Sequence, residues 1–521
     1  ALSVPDGQVP WCTTASLGCA LLLAIDDASL PVRKNLCLYL TRPTVRAGAV
    51  LRPSPRDSGA PDDLAAHFYG TVLRDGGRFR MWYYACHWGR NPDWPPEVAR
   101  QVARNDSELF PGPLCYAESE DGVAWSKPAL RQVLFKGSSD NNALALPHGL
   151  VCGATVIKDQ DDPDPARRYK MVYEFWPRAS DPPLEGVGRD PTVARAVSPD
   201  GIGWTVLDCP FPYELIEHAS FYRHAGLYII NAQSAEMRIP GEGGTRRGRQ
   251  GFARFSHDFD HWVDGHVESF CLPEPREPGR RGVGYAYDQV HLGVGAASFG
   301  NVCVGLYGIW HNAPLAEQFN EISCDLGLVV SNNGLRFREP VKRHVYIARE
   351  DSPVTPIVGR HYNTILCQAN GILNVGDETR IYHGRWRNAG MEPGQIEDYC
   401  GEVALATIPR DRWGSLGLFP QAAEGSVWSA PVVLPQSGCR LGLNADGAGA
   451  IRVEVADERF TLLPEFAGKN AGSAAETGGL DCPVCWPGRG LGALGGRTVR
   501  FKFTLRRGSG AEPRLYAVNL S

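Results

Sequence analysis

Long apolar runs, an excess of basic residues and a dense cysteine framework are all missing from this sequence, and each absence excludes a class of protein. No stretch of 18 or more apolar residues occurs, and the most apolar segment, residues 17–25, is too short to span a bilayer. Acidic residues outnumber basic residues by 58 to 53, whereas nucleic-acid binding normally requires a basic face. We therefore expect neither a membrane protein nor a nucleic-acid partner.

The cysteine pattern argues against disulfide bonds. The 15 cysteines are an odd number and are scattered from Cys12 to Cys485, which is typical of reduced, mostly buried thiols. Only Cys482 and Cys485 are closely spaced, and they lack the second pair that a structural zinc site would need. Residues 17–25 have no basic residue before them and no clear cleavage site after them, so we predict a buried strand rather than a signal peptide. These features favour a cytoplasmic location.

What the sequence does contain is a short repeat. Four segments begin with Ser, carry Asp or Asn two positions later and end with Trp or Phe; they are residues 119–125, 198–204, 256–262 and 331–337. Asp, Asn and Gly tolerate the backbone conformations of tight turns, so each unit is predicted to be a hairpin tip. Recurrence at a spacing of tens of residues indicates a repeat architecture.

A second series of segments is rich in aromatic and β-branched residues, as strands are. Its five members are residues 77–83, 168–173, 226–231, 300–307 and 378–383. Each follows another short strand-like segment; these are residues 67–73, 150–158, 217–222, 290–299 and 364–375. Since a propeller blade is a four-stranded antiparallel unit, five such pairs predict an all-β protein with a five-bladed β-propeller whose first strands line the central axis.

The pattern changes near residue 414. Beyond it, short alternating strands are separated by Gly-rich turns without helical periodicity, which predicts a C-terminal β-sandwich of jelly-roll type. We therefore divide the chain into a propeller domain at residues 1–413, with lead-in strands in residues 1–60, and a β-sandwich domain at residues 414–521.

Several of these segments resemble a known family. Residues 79–83, 116–128, 140–142 and 168–171 are similar to uncharacterised bacterial proteins grouped with the invertase, levansucrase and arabinanase superfamily of five-bladed propeller glycoside hydrolases. Residues 441–446 and 497–503 resemble the β-sandwich appended to the same proteins. The resemblance implies a soluble glycoside-cleaving enzyme that acts on an oligosaccharide or glycoside in a pocket at one end of the propeller axis.

The resemblance also implies that the starts of the innermost strands supply two or three carboxylates. One carboxyl group must be protonated to assist the leaving oxygen, while another must be ionised to attack the anomeric carbon or to activate water. Glu217 lies nine positions before Gly226, and this segment resembles the one that carries the general acid in arabinanase-type enzymes. We expect Glu217 to be the general acid, or the acid/base of a retaining reaction.

The second carboxylate is left open between Asp288 and Asp63. Asp288 opens the inner strand of the fourth blade, and Asp63 precedes the strand of the first blade. The position at the family's distance from Gly76 is Tyr69, so the match to an invertase-type nucleophile fails locally. Asp190 lies in an Arg-Asp-Pro tripeptide that resembles an invertase motif, but its place close before a turn unit favours a loop.

Histidines provide a competing arrangement. One histidine stands near the start of each inner strand; they are His67, His148, His218, His291 and His361. Converging imidazoles would form a site for zinc, iron, nickel or manganese, and metal chemistry would then replace the two carboxylates. The favoured interpretation has no metal and no cofactor, and assigns His67, His218 and His291 to substrate hydroxyls.

Other polar and aromatic residues complete the expected pocket. Gln368 and Asn370 are favoured for substrate binding because polar groups are costly to bury on an inner strand, with Arg385 close by. Trp88 offers a flat face for sugar stacking. It begins a long polar connection, residues 88–111, which we expect to wall the pocket and to favour exo-action.

The leading hypothesis is therefore an exo-acting glycoside hydrolase for a fructo- or arabinofuranoside or a related bond. A phosphorylase on the same fold, a metal-dependent propeller enzyme and a non-catalytic carbohydrate-binding propeller remain as alternatives. A phosphorylase would need a cationic cluster for phosphate beside the acid. The sequence leaves open the stereochemistry and the formation of a homo-oligomer.

Overall fold

A computed structural model describes residues 20–93, 109–148, 150–176, 192–207, 216–234, 249–263, 265–272, 287–313 and 321–521. The regular structure of this part is almost entirely β, which confirms the all-β class. The short 3-10 helices are Pro165–Arg167, Ile396–Asp398, Ala448–Ala450, Pro464–Phe466, Gly468–Asn470 and Leu491–Leu494. None of the helices in these residues is long and apolar enough to cross a membrane.

The strands are numbered in chain order. The N-terminal strands are β1 (Ala20–Leu23), β2 (Val32–Lys34), β3 (Leu36–Leu40) and β4 (Thr44–Val45). The strands that follow are β5 (Ala65–Asp75), β6 (Arg78–Trp88), β7 (Leu109–Ser119), β8 (Leu150–Lys158), β9 (Tyr169–Trp176), β10 (Thr192–Ser198), β11 (Thr205–Val206), β12 (Ile216–His224), β13 (Leu227–Ser234), β14 (Gln250–Ser256), β15 (Val267–Phe270), β16 (Tyr287–Ser298), β17 (Cys303–Ala313), β18 (Ser323–Ser331), β19 (Val345–Ile347), β20 (Ile365–Cys367), β21 (Ile372–Val375), β22 (Glu378–Arg387) and β23 (Cys400–Pro409). The last strands are β24 (Gly414–Leu418), β25 (Glu424–Trp428), β26 (Val432–Val433), β27 (Leu441–Asp446), β28 (Ile451–Asp457), β29 (Gly472–Ala474), β30 (Gly478–Cys485), β31 (Thr498–Arg506) and β32 (Arg514–Leu520).

These strands form five sheets in the described residues. Strands β5 to β7 form the first sheet, β8 to β11 the second, β12 to β15 the third, and β16 to β23 together with β4 a nine-stranded fourth sheet. The remaining strands form a twelve-stranded C-terminal sheet. The predicted strand pairs are confirmed as antiparallel pairs, except that residues 364–375 are divided between β20 and β21. The first strands lie together, since β5 contacts β8 and β12, and β16 contacts β12 and β21.

The four repeated turn units share one hydrogen-bond pattern. In the first unit, the Ser119 hydroxyl accepts the N–H of Gly122 at 2.9 Å. One Asp121 oxygen accepts the N–H groups of Val123 at 2.7 Å and Ala124 at 2.8 Å. The Ser and the Asp or Asn of the other three units make the same contacts. The predicted hairpin tips are therefore confirmed.

Each turn also ties its sheet to a neighbouring one. The carbonyl oxygen of the fourth residue of every unit accepts a hydrogen bond from another sheet or sheet segment. The donors are Tyr382 for Gly122, Trp82 for Gly201, Arg195 for Phe259 and Tyr222 for Gly334. The repeat in the sequence thus records a repeated contact between sheets as well as a local turn.

The N-terminal strands do not lead into the first sheet as expected for residues 1–60. Strand β1 pairs with β32, β2 with β25 and β3 with β24, so all three belong to the C-terminal sheet. The reason is the burial of β1 on both of its faces. Leu22 packs into the core of the C-terminal sheet, whereas Leu21 and Leu23 pack against apolar side chains of the fourth sheet.

The C-terminal sheet encloses a core of its own. The strand order is β2-β25-β31-β28-β29-β30-β27-β32-β24-β3, and apolar side chains from both halves of this path share one buried cluster. Val427, Val453 and Phe501 contribute from one half, and Leu443 and Val518 from the other. Alternation along β28 and β31 turns the neighbours of Val453 and Phe501 outward, whereas Asn444 and Ala517, the neighbours of Leu443 and Val518, are buried.

The position of β1 generates a stability prediction. Leu22 is 0% exposed, so Leu22→Ala is expected to lower the free energy of unfolding by about 2–5 kcal/mol, because it leaves a cavity in the core. Val32→Ala on β2 is the matched control, since Val32 is 48% exposed. Denaturant unfolding measures both variants, and an equal effect of the two would contradict the placement of β1.

Candidate active site

In each of the five predicted strand pairs, the first strand is irregular at a corresponding point. The pairing register shifts between His67 and Thr71 in β5, Cys152 and Ala154 in β8, Ile216 and Ser220 in β12, and His291 and Val294 in β16. In the fifth pair, the first strand is interrupted between β20 and β21, where the chain forms no ladder with β22. Bulges re-aim side chains and are common beside active sites. These strands therefore create an irregular centre where side chains from different sheets meet.

Glu217 occupies the bulge of β12. Its φ of 50° lies in the left-handed region, which is uncommon for a residue with a side chain. Its backbone N–H donates to the buried carboxylate of Glu174 at 2.6 Å. Gln233 donates from its amide nitrogen to a carboxylate oxygen of Glu217 and accepts the N–H of Leu292 at 2.7 Å. Side chains of β9 and β13 thus fix both the backbone and the carboxylate of Glu217.

The surroundings of Glu217 are protected from solvent. Burial raises the pKa of the Tyr69 hydroxyl well above its ordinary value, and nearby Cys367 and Glu217 raise it further. Burial also raises the pKa of the Cys367 thiol to about 12. Tyr69 and Cys367 therefore remain neutral near neutral pH and place no charge beside Glu217.

Asn370 and Gln368 hold the first strands together. The Asn370 side chain accepts the N–H of Phe221 at 3.1 Å and donates to its carbonyl oxygen at 2.7 Å. Gln368 donates to the carbonyl oxygen of Gly293 at 2.8 Å. Both side chains were expected to bind substrate. They instead bind backbone groups, because the interrupted ladders leave N–H and C=O groups that need partners.

Asp288 lies at one end of a chain of ionisable groups. His311 contacts Asp288 through Nδ1 and Asp325 through Nε2, both at 2.8 Å. The Arg349 guanidinium donates to Asp325 at 2.7 Å. Although burial alone would lower it, hydrogen bonds to the two carboxylates raise the pKa of His311 to about 9. His311 is therefore an imidazolium at neutral pH, and it lies between the carboxyl groups of Asp288 and Asp325.

Asp63 lies in a different environment. Its side chain is 2% exposed, and its oxygens contact the backbone N–H of Trp88 at 2.8 Å and the Lys136 ammonium at 3.4 Å. Burial raises the pKa of Asp63, while Trp88 and Lys136 oppose that shift. The Arg56 guanidinium lies over the Trp88 ring at 5.2 Å. Asp63 thus fixes the end of β6, whereas half of the Asp288 side chain reaches solvent.

The three histidines expected to bind substrate are buried at the centre. The His67 Nε2 lies 2.8 Å from the Tyr399 hydroxyl. Burial lowers the pKa of His218 to about 4, and burial with a nearby arginine lowers that of His291 well below its ordinary value. His291 lies against the ring of Trp310 at 4.2 Å. The Nδ1 atoms of His218 and His291 have no protein partner among the described residues.

The five histidines do not converge. His148 lies against Phe175 at 3.6 Å, and His361 lines a separate cavity described below. Within the described ranges, no three His, Cys, Asp or Glu side chains are grouped as a metal site requires. The metal-dependent alternative therefore receives no support from these residues.

Arg385 is buried in the interior of the fourth sheet, where it contacts other protein groups. It is 1% exposed, donates to the Ser352 hydroxyl at 2.8 Å and to the carbonyl oxygen of Arg46 at 2.9 Å, and lies 3.6 Å from Glu402. Its guanidinium therefore contacts protein groups where a sugar was expected. Asp190 and most of the connection expected to wall the pocket, residues 94–108, lie outside the described residues.

Four side chains around the centre were not predicted from the sequence: Glu174, Gln233, His311 and Arg349. Glu174, Gln233 and His311 lie on second strands, where only first strands were expected to face the axis. An ionisable or amide residue within an otherwise apolar strand was the available signal, because such groups are costly to bury without partners.

Comparison with known proteins gives limited likenesses. No family model matches the chain. Two uncharacterised proteins of Mycobacterium tuberculosis are 28% identical over 200 residues, which cover 38% of this chain and 46% of theirs. The chain thus spans about half the length of the curated relatives it matches.

The solved structures to which the chain is similar include carbohydrate-active enzymes. The β-1,2-mannobiose phosphorylase of Listeria innocua is 14% identical with a TM-score of 0.40, covering 71% of this chain and 96% of the other. The exo-β-1,3-galactanase of Phanerochaete chrysosporium is 11% identical with a TM-score of 0.35, covering 94% and 100%. A family 43 arabinoxylan arabinofuranohydrolase of Bacillus subtilis is 11% identical with a TM-score of 0.27, covering 91% and 99%. At these scores, we base no argument on the likenesses.

The charged state of His311 generates a prediction about pH. Because the pKa of His311 is raised from 6.5 to about 9, its contribution to stability is complete below pH 6.5 and is lost as the pH rises through 9. The melting temperature of the wild type should therefore fall, relative to His311→Gln, between pH 6.5 and 9. Parallel pH profiles of the two proteins would contradict the ion pairs.

Proposed function

We propose that this protein is a glycoside hydrolase that uses Glu217 as general acid and Asp288 as its ionised partner. The observation that carries the proposal is the restraint on Glu217. A left-handed backbone conformation for a glutamate is strained, and such strain concentrates at functional sites. Hydrogen bonds from the side chain of Gln233 and to that of Glu174 then hold the residue in place.

The contrast between the two carboxyl groups supports their roles. Glu217 is half-buried beside neutral Tyr69 and Cys367, and it has no cation among the contacts described here. Asp288 has an imidazolium partner in His311, and its side chain is 48% exposed. Different environments for two carboxyl groups are what glycoside cleavage requires, because one must donate a proton and the other must be ionised.

The neighbouring residues complete the proposed site. His218 and His291 bind substrate hydroxyls through their Nδ1 atoms, which are buried and lack a protein partner in the described residues. His67 and Trp88 contact the sugar from the first sheet. Asp63 supports Trp88 and takes second place to Asp288 as the partner of Glu217, because its oxygens are already bound by protein donors.

The finer assignments rest on the sequence resemblance. We propose an exo-acting enzyme for a fructo- or arabinofuranoside, in a five-bladed propeller that extends to residue 413. A β-sandwich from residue 414 onward follows, and strand β24, which begins at Gly414, supports that boundary. The three N-terminal strands β1 to β3 join it by pairing.

Glu217→Gln tests the acid. On oligosaccharides, we expect kcat to fall by about 10²–10⁴, since an amide cannot protonate the leaving oxygen. On dinitrophenyl glycosides the loss should be much smaller, because that leaving group departs without a proton. A panel of nitrophenyl and dinitrophenyl glycosides and of fructose- and arabinose-containing oligosaccharides, with and without phosphate and chelator, measures these effects. Glu120→Gln, an exposed matched change, should have no effect. Equal losses on both substrate types would refute the acid role.

Asp288→Asn tests the partner. A nucleophile or base is needed whatever the leaving group, so both oligosaccharides and dinitrophenyl glycosides should react more slowly by about 10² or more. The anomeric configuration of the first product, followed by NMR, distinguishes attack by Asp288 from attack by water that it activates. Full activity of the variant would exclude Asp288 and direct attention to Asp63.

A further inference from the structure

A cavity of about 330 Å³ lies beside the fourth sheet, in the segment between β19 and β20. Its wall includes three arginines, Arg349, Arg360 and Arg387, and the neighbouring Tyr362. The rest of the wall is formed by Glu350, Pro353, Val354, Pro356, Ile357, His361, Asn363 and Thr364. The volume lies at the lower end of the range for small-molecule sites, which is roughly 300–1,000 Å³.

The arginines of this cavity are balanced by acidic groups. Arg349 contacts Asp325 at 2.7 Å and Glu350 at 3.0 Å. Arg360 pairs with Asp398 and lies 3.7 Å from Glu397. Three guanidinium groups are thus matched by four carboxylates in and around the cavity. The site has no surplus of positive charge for a phosphate, and it suits a ligand without net charge.

The polar groups are also fixed in place. The Tyr362 hydroxyl donates to Asp398 at 2.5 Å. Although burial alone would raise it, hydrogen bonds from Tyr362 and Arg360 hold the pKa of Asp398 below its ordinary value. Arg387 donates through Nε to the carbonyl oxygen of Asp398 at 2.9 Å. The groups around the cavity therefore need little ordering when a ligand binds.

The lining matches the surface of a sugar ring. Guanidinium edges donate hydrogen bonds and Glu350 accepts them, while a sugar hydroxyl does both. Pro353, Pro356 and Ile357 provide apolar surface for the C–H face of the ring. Specific sites commonly combine such apolar walls with a few fixed polar groups.

The cavity is connected to the proposed catalytic residues. Arg349, in its wall, contacts Asp325, which contacts His311, which contacts Asp288, through three hydrogen bonds of 2.7–2.8 Å. A ligand in the cavity would therefore lie near the sugar that is being cleaved. This step rests on the proposed function, because it treats both ligands as parts of one substrate.

We propose that this cavity is a subsite for one neutral sugar unit of an oligosaccharide, adjoining the unit that is cleaved. It predicts a substrate of at least two sugar units and excludes an oxyanion as the ligand of these arginines.

Two adjacent residues provide a matched test. Ile357 lines the cavity, whereas Val358 is fully exposed beside it. Ile357→Trp fills the cavity, and Arg360→Ala removes one guanidinium. Both should lower kcat/KM for the best oligosaccharide of the panel at least about tenfold and leave that for the nitrophenyl monoglycoside unchanged. Val358→Trp should change neither value. Equal effects on both substrates, or no effect on either, would overturn the proposal.

Binding measurements keep this test separate from the proposed activity. If the wild type cleaves none of the panel, the proposed function fails, and saturation-transfer NMR with the same oligosaccharides still tests the cavity. Binding that is lost in Ile357→Trp and kept in Val358→Trp supports the subsite. Absence of binding to the wild type overturns it. Calorimetric binding of inorganic phosphate that is lost in Arg360→Ala would also overturn it, and would identify an oxyanion site.

Discussion

The constraint on which the candidate site depends is that a broken strand must still find partners for its backbone N–H and C=O groups. The ladders of β5, β8, β12 and β16 are interrupted near the centre, and polar side chains bind the backbone groups that are left. The Thr71 hydroxyl accepts the N–H of Val156 at 2.8 Å, and Asn231 accepts that of Val294 at 2.9 Å. Gln233 bridges Leu292 and Glu217 in the same way. The fold therefore requires polar side chains at the centre whether or not they take part in a reaction. The contacts that hold Glu217 are part of this requirement.

The strands and turns could be predicted from sequence because their causes are local. Asp121 and Gly122 dictate a turn through their own backbone preferences, and the aromatic-rich run of β6 marks a strand without reference to partners. The partners of strands are a different matter. The apolar run in β1 indicated burial, but β32 lies almost the whole chain away, and nothing near residue 20 specifies it.

The same distinction applies to the candidate site. Glu217 was singled out because its spacing to Gly226 matched a family pattern, which is a local property of the sequence. The contacts of Asp288 and Arg385 were not predictable, because they depend on which side chains the neighbouring strands bring within reach. His311 lies on β17 and Asp325 on β18, and only their antiparallel pairing places an imidazole between two carboxylates. Asn370 and Gln368 were correctly placed on an inner segment, whereas their engagement with Phe221 and Gly293 required the assembled sheets.

The pairing of β1 with β32 has a consequence for biosynthesis. About 500 residues separate the two strands, so at translation rates of roughly 5–20 residues per second, the partner of β1 is synthesised on the order of a minute later. Until then, the apolar residues Leu21, Leu22 and Leu23 lack their final neighbours from the end of the chain. The twelve-stranded sheet can therefore be completed only after β32 has left the ribosome, and until then β1 exposes apolar side chains to non-specific contacts.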